Sequence, residues 1–231
     1  MLDYLQNSYD NVAMNRKEFP IFGRDIIFVK DPLPDHVDLQ KVISSVEEIL
    51  PYWVMKEVDI IYIGQFEVFD RKNFNSVYQD GAIYVTNDQD SVEDMVDDIV
   101  HEAAHAIEIP YGYRIYDNGK IETEFLNKRM KLFQLLSSQG YKITDARNLF
   151  LNTEYNQRFD DLLYKEVGYD LLDNLLIGVF VRPYAATSIN EYFTTGFVEY
   201  HMGDRIHLSE ICPKLFGIIR DLEVEEPEHE L

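Results

Sequence analysis

Residues 91–108, SVEDMVDDIVHEAAHAIE, repeat apolar side chains at spacings of three and four and predict one amphipathic helix. Ser91 is a favourable N-cap, and Asp94 three residues later supports a capping box. The apolar side chains form one stripe, which comprises Val92, Met95, Val96, Ile99, Val100, Ala103 and Ile107. His101 and His105 fall on the side of the helix opposite the middle of that stripe. The helix can therefore pack into a core and still present both imidazoles to a site.

Residues 101–105 of this helix read HEAAH, a pattern typical of zinc sites. Two histidines four positions apart lie about 5–6 Å apart at Cβ, which allows both to bind one Zn²⁺. Glu102 then lies beside the metal, where it can accept a proton from a coordinated water. The alternative is a pair of ordinary surface or core histidines that flank Glu102. Asp98, one turn earlier, either complements the helix dipole or orients a metal ligand.

A catalytic zinc ion needs a third protein ligand and one open position. The subclass with a third histidine follows HExxHxxGxxH, but Glu108 and Tyr111 replace its glycine and its last histidine. A glutamate from a later helix is the remaining common solution. Glu191 is the strongest candidate, because it lies off the apolar stripe of a second predicted helix at 187–200. In the pattern Ser188-x-x-Glu191, however, Glu191 could instead only cap its own helix. The weaker candidates are Glu108, Glu124 and Glu199.

Three segments resemble the gluzincin metallopeptidases, and within them the catalytic domain of anthrax lethal factor and the Pro-Pro endopeptidases. They are residues 81–85 (GAIYV), residues 99–105 (IVHEAAH), and Tyr184 followed seven residues later by Glu191-Tyr192-Phe193. The resemblance implies a zincin-like fold and a zinc ion bound by His101, His105 and Glu191, with Glu102 as the catalytic base. It also implies that Tyr184 points into the site and stabilises the oxyanion. Without the resemblance, Arg182-Pro183-Tyr184 is interpreted as a plain turn.

The remaining pattern predicts an α+β protein with two lobes and a tail. Residues 1–110 form a mixed N-terminal lobe with a small sheet that ends in the motif helix. Residues 111–220 form a mainly helical lobe that supplies Glu191, and residues 221–231 form a loose acidic tail. Strands are expected at 25–30, 58–64 and 82–86, and further helices at 38–50, 121–139, 144–151, 154–167 and 171–180.

Residues 65–80 are polar and aromatic, and they predict either a loop or a further irregular strand. An edge strand just before the motif helix would offer unpaired backbone groups to an extended peptide. The alternative is an edge that the preceding segment covers. Residues 205–220 have a mixed composition.

The composition limits the partners and the location of the protein. The 231 residues carry a net charge of −21, which opposes binding to nucleic acid or to an anionic membrane. The single cysteine, Cys212, cannot form an internal disulfide and is expected to be buried. The sequence has no membrane-spanning run and begins without a signal-peptide pattern, so the default expectation is a cytoplasmic protein. Secretion is the alternative if a signal was removed.

These expectations converge on a zinc-dependent endopeptidase that uses one zinc ion on a peptide or protein substrate. The first rival is a catalytically inert binding or structural protein on a zincin scaffold, because a fold does not guarantee an activity. The second rival is a metal-dependent hydrolase that acts on something other than peptides, since an activated water does not select its own carbonyl.

Overall fold

The computed structural model describes residues 17–67, 69 and 75–225, which form a mixed α+β protein as predicted. Two compact units are present, one up to Ala106 and one from Ile107 onward. The strands are β1 (Lys17–Ile21), β2 (Arg24–Val29), β3 (Ile60–Ile63), β4 (Ser76–Gln79) and β5 (Ala82–Val85). The helices are α1 (Leu39–Ile49), α2 (Tyr52–Met55), α3 (Val92–Tyr116), α4 (Lys120–Ser138), α5 (Ala146–Leu151), α6 (Gln157–Asp161), α7 (Tyr169–Leu175), α8 (Ile189–Met202), α9 (Arg205–Ile211) and α10 (Pro213–Glu225).

The first unit contains a five-stranded mixed sheet with the order β1-β2-β3-β5-β4. The central strands β2, β3 and β5 run parallel, and the two edge strands run antiparallel to their neighbours. Side chains alternate between two faces, so that Ile61 and Ile83 are fully buried while the paired rings of Tyr62 and Tyr84 stack 5.2 Å apart on the other face. One face therefore contributes to the core and the other carries an aromatic row.

Both edge strands are attached through two-residue hairpin turns. Asp80 and Gly81, with φ of 51° and 83°, connect β4 to β5, and Phe22 and Gly23, with φ of 50° and 71°, connect β1 to β2. Positive φ at both central residues is the geometry that an Asp-Gly hairpin favours. Four residues of the segment 65–80 are thus a regular edge strand. The strand β1 was not predicted from the sequence.

The motif helix α3 is longer than its sequence pattern predicts. Its start is as expected, since the Ser91 hydroxyl oxygen accepts a hydrogen bond from the Asp94 backbone N–H at 3.0 Å. The predicted end near Glu108 is wrong, because the helix continues through Pro110 to Tyr116. The apolar stripe also continues, with Tyr111 and Ile115 buried. Burial of this last part offsets the hydrogen bond that a proline cannot donate.

The second unit is helical, and its core is aromatic. Phe125 of α4 contacts the rings of Phe180 and Tyr192, with centroids 6.3 Å and 5.4 Å away. The predicted stripe of α8 is confirmed as buried, and it is broader than the pattern indicates, because Thr194, Thr195 and Val198 are buried as well. Helix α8 is therefore enclosed by its neighbours along most of its surface.

Several predicted element boundaries in this unit differ from the structure. Residues 154–167 form α6 followed by a π-helical turn, Leu162–Val167, instead of one α-helix. Helix α7 ends at Leu175, before Val179 and Phe180. Residues 221–225 belong to α10, so the predicted loose tail is wrong there, and residues 226–231 lie outside the described part. Local propensity does not resolve these boundaries, since packing decides where a helix ends.

A buried arginine joins three segments of the second unit. Arg129 of α4 is 0 % exposed, and its guanidinium donates to the carbonyl oxygens of Leu149, Asn152 and Thr187. Its charged carbon lies 3.8 Å from the ring centroid of Phe159. Burial lowers the pKa of Arg129 to about 9, which leaves it protonated at neutral pH. The arginine thereby fixes the loop that leads into α8.

No helix within the described residues combines the length and the apolar character that crossing a bilayer requires. Cys212 is buried, as expected.

Candidate metal centre

The two motif histidines share one side of α3. Their ring centroids lie 5.1 Å apart and their planes meet at 75°. Both side chains are partly exposed, while Ala103 and Ala104 between them are buried. This is the arrangement that the helical spacing predicts, with the imidazoles off the buried stripe.

Glu191 lies in the first turn of α8, and its local structure reconciles the two interpretations of the sequence. Ser188 is the N-cap, and its hydroxyl oxygen accepts from the Glu191 backbone N–H at 3.1 Å. The backbone of Glu191 therefore completes the helix cap. Its carboxylate is partly exposed and near the hydroxyl of Thr194 at 3.4 Å. Glu191 can thus serve the cap and bind a ligand at the same time.

His101, His105 and Glu191 each offer one ligand atom, and the three atoms lie within 4.8 Å of one another. The group could hold a metal ion. Two imidazole nitrogens and one carboxylate oxygen are a donor set that catalytic zinc sites use. Ligand atoms around a tetrahedral zinc ion lie roughly 3.3 Å apart, because each is about 2.0–2.1 Å from the metal.

Contacts within the second unit connect the end of α3 with the start of α8. Glu108, one turn after His105, accepts a hydrogen bond from the side-chain amide of Asn190 at 2.6 Å. Further along, the rings of Tyr116 and Phe193 are 6.4 Å apart. Both contacts join the part of α3 from Ile107 onward to the first turns of α8.

The predicted base, Glu102, is held by the edge strand β4. Its carboxylate accepts a hydrogen bond from the Ser76 hydroxyl at 2.7 Å and another from the Tyr78 backbone N–H at 2.6 Å. The side chain is only 5 % exposed. Because each donor binds a different oxygen, both oxygens retain a lone pair for a further partner. Strand β4 therefore fixes the orientation of Glu102. The sequence pattern did not decide whether this segment is a strand or a loop.

Asp98 is a largely buried acid one turn before the motif. Burial raises the pKa of its carboxyl to about 6, and the nearby charges of Glu102 and Asp97 add to this effect. A hydrogen bond from the Gln89 side-chain amide, at 2.8 Å, opposes it. The role of Asp98 in orienting a ligand stays a prediction, since its carboxylate binds Gln89 in this arrangement.

Tyr184 lies in a 3₁₀ turn, Pro183–Ala186, just before α8. Burial raises the pKa of its phenol far above the ordinary value of 10, and the negative charges of Glu191 and Asp160 contribute to the increase. The phenol is therefore protonated at neutral pH and can donate a hydrogen bond. That Tyr184 points into the metal group stays a prediction.

The weaker ligand candidates have other partners. Glu124 accepts from the Tyr192 hydroxyl at 2.9 Å and from two backbone N–H groups at the start of α10. Glu199 accepts from the Asp204 backbone N–H at 3.0 Å. Glu108 binds Asn190, as described above. Of these glutamates, only Glu191 joins the histidines in the group that could hold a metal.

Sequence patterns missed several residues around Glu191. Burial raises the pKa of Tyr116, Tyr155 and Tyr169, and the charge of Glu191 is a smaller contribution to each increase. The hydroxyl of Tyr155 donates to Asp160 at 2.9 Å. No local signal distinguishes these tyrosines from the rest of the 16 in the chain. Only their position in the folded unit identifies them.

Comparison of the sequence with models of protein families and with curated proteins finds no match.

Proposed function

We propose that the protein is a zinc-dependent metallopeptidase of the gluzincin type, acting as an endopeptidase on peptide or protein substrates. The observation that carries the proposal is the convergence of His101, His105 and Glu191, whose ligand atoms lie within 4.8 Å. These three residues would hold a zinc ion with one coordination position left for water, as catalytic zinc sites require. A bound zinc ion supplies a Lewis acid and lowers the pKa of a coordinated water to about 7.

Glu102 is the proposed general base and acid. It follows His101 directly in the motif, and the hydrogen bonds from Ser76 and Tyr78 keep its carboxylate in one orientation. A carboxylate held in this way can take a proton from the attacking water and deliver it to the leaving amine.

Tyr184 is the proposed donor to the oxyanion of the substrate. Its phenol stays protonated because burial and the charge of Glu191 raise its pKa. A protonated phenol can donate a hydrogen bond to negative charge as that charge develops on the carbonyl oxygen. The short turn that carries Tyr184 is continuous with the cap of α8, which keeps it near Glu191.

The test of the mechanism is the Glu102→Gln variant. We expect this variant to bind zinc like the wild type and to lose peptide hydrolysis, because glutamine has a similar size but cannot accept the proton. Glu93→Gln, at an exposed position in the first turn of α3, is the matched control. Cleavage by Glu102→Gln at the wild-type rate would show that the proposed base is wrong.

A peptide-library cleavage assay, with and without a chelator, tests the substrate class. We expect cleavage that the chelator abolishes and that added zinc restores. Chelator-sensitive hydrolysis of model esters or amides without any peptide cleavage would instead favour a hydrolase with another substrate.

An inert metal-binding protein on the same scaffold is the second candidate function. The observation that favours it is the engagement of both Glu102 oxygens with β4 in a side chain that is 5 % exposed. Stoichiometric zinc in protein purified without chelator, combined with no hydrolysis of peptides, would support this candidate. Absence of bound transition metal would contradict both candidates.

A further inference from the structure

A carboxylate next to the metal group connects the helices that carry its ligands. Glu108 accepts a hydrogen bond from the side-chain amide of Asn190 at 2.6 Å, and the Tyr116 hydroxyl donates to the same Glu108 oxygen. The residues Glu108 and Asn190 are 82 positions apart in the chain. This bond is therefore a tertiary link and not part of a local cap.

Glu108 and Asn190 are both close in sequence to the proposed metal ligands. Glu108 follows His105 by three residues and His101 by seven, so helical geometry puts all three side chains on one face of α3. Asn190 directly precedes Glu191 in the first turn of α8. The bond thus joins a residue one turn from the histidines to the immediate neighbour of the carboxylate ligand.

The chemistry of the link favours a rigid connection. An ionised carboxylate that accepts from an amide forms a shorter and stronger bond than two neutral groups do. The Tyr116 phenol is protonated, since burial and the charges of Glu108 and Glu191 raise its pKa, and it can remain a donor across the physiological range. Both Glu108 and Asn190 are only partly exposed, so water competes weakly for the bond.

We propose that Glu108 and Asn190 are a positioning pair that holds the Glu191 carboxylate at the imidazoles of His101 and His105. A metal site binds tightly when its ligands are already in place, because ordering them then costs less upon binding. Groups outside the coordination sphere that orient ligands typically change metal affinity by 10–100-fold. Glu108 acts through Glu191, and no coordination by Glu108 itself is required. The inference rests on the metal site of the proposed function and is independent of peptidase activity.

The test measures zinc affinity of the full-length protein by competition with a chromogenic chelator. We expect Glu108→Ala and Asn190→Ala each to weaken zinc binding by about 10–100-fold. The double variant should bind zinc about as well as either single variant, because both changes remove the same link. Glu108→Gln should retain most of the affinity, since its amide oxygen can still accept from Asn190 and Tyr116.

Matched controls separate this role from a general loss of structure. Glu93→Ala on α3 and Asn127→Ala on α4 change exposed residues of the same types and should leave zinc affinity unchanged. Circular dichroism of the metal-free variants tests whether each one folds. The visible absorption spectrum of the cobalt-substituted protein provides a second measurement, and we expect it to change in Glu108→Ala and to be restored in Glu108→Gln.

Each outcome decides between the proposals. The positioning role would be overturned if the folded single variants bound zinc within twofold of the wild type. It would also be overturned if the losses of affinity were additive in the double variant. Both results would leave the peptidase proposal intact. A wild-type protein that binds zinc with the expected dependence on Glu108 and Asn190, but cleaves no peptide, would overturn only the peptidase. A wild-type protein that binds no zinc would overturn both.

Discussion

Ser76 donates its hydroxyl to the Glu102 carboxylate at 2.7 Å and thereby connects the edge strand β4 to the motif helix α3. The backbone N–H of Tyr78, two residues further along β4, donates to the other oxygen at 2.6 Å. The edge strand β4 therefore supplies two hydrogen-bond donors that orient Glu102, the residue that the motif predicts to be the base. A hairpin turn at Asp80 and Gly81 sets where these donors lie along α3.

Removal of the Ser76 hydroxyl should weaken this connection. Hydrogen bonds to charged groups contribute about 1.5–3 kcal/mol, so we expect Ser76→Ala to reduce the free energy of unfolding by about 2 kcal/mol. Ser76→Thr retains the hydroxyl and should cost much less. Urea unfolding of the metal-free proteins measures the difference. Equal losses in both variants would indicate that the hydroxyl contributes nothing.

The pKa of Asp98 predicts a pH dependence of stability. Burial raises this pKa from 3.8 to about 6, so the folded state favours the protonated carboxyl. The stability that Asp98 contributes is complete below its unfolded pKa and is lost as the pH rises through about 6. Asp98→Asn is neutral at every pH and can still accept from Gln89.

We therefore expect Asp98→Asn and the wild type to have similar unfolding free energies near about pH 4 and to diverge as the pH rises. Near neutral pH, the free energy of unfolding of the variant should exceed that of the wild type by about 2 kcal/mol. This is less than the full free energy that a shift of two pKa units represents. Urea titrations in the presence of a chelator measure this difference. Glu93→Gln is the exposed control, and a difference that is constant with pH contradicts the prediction.

Arg129 should be sensitive to a conservative replacement. A lysine ammonium cannot reach the carbonyls of Leu149, Asn152 and Thr187 in the way that the planar guanidinium does. We expect Arg129→Lys to lower the free energy of unfolding by about 2–4 kcal/mol, because buried acceptors lose their donors. Arg147→Lys, at an exposed position on α5, should change it by less than about 0.5 kcal/mol. Denaturation midpoints that coincide for the two variants would refute the role given to Arg129.

Two glycines should respond to alanine with opposite signs. A Cβ at Gly196 of α8 would lie 2.9 Å from Cγ of the buried Leu215 on α10, so Gly196→Ala should destabilise the protein by about 1–2 kcal/mol. A Cβ at Gly217 of α10 meets nothing within 4 Å. Gly217→Ala should stabilise the helix by about 0.5–1 kcal/mol. Thermal unfolding of both variants tests the contrast, and equal shifts in Tm would contradict it.

Local features of the fold were predictable from local patterns. The N-caps Ser91 and Ser188 each accept the backbone hydrogen bond that the sequence pattern predicts. Helix α4 ends at Ser138, close to the predicted end at residue 139, and Gly140 with φ of 91° follows it. The dipeptide Asp80-Gly81 is likewise a local signal for the hairpin turn between β4 and β5. In contrast, the continuation of α3 through Pro110 depends on burial of Tyr111 and Ile115, which no local rule includes.

The sequence by itself determined the pairing of His101 with His105, because a helix puts residues four apart on one side whatever surrounds it. Its pattern also indicated Glu191 as a candidate, and the family resemblance added Tyr184, but neither gave a distance to the histidines. The tertiary structure decided that Glu191, and none of the other candidate glutamates, joins His101 and His105 in a group that could hold a metal ion. It also decided that Ser76 and Tyr78 donate to Glu102 and that Asn190 donates to Glu108. The physical reason is that these contacts join residues far apart in the chain. Helical periodicity is fixed within a few residues, whereas the approach of distant segments depends on how the whole core packs.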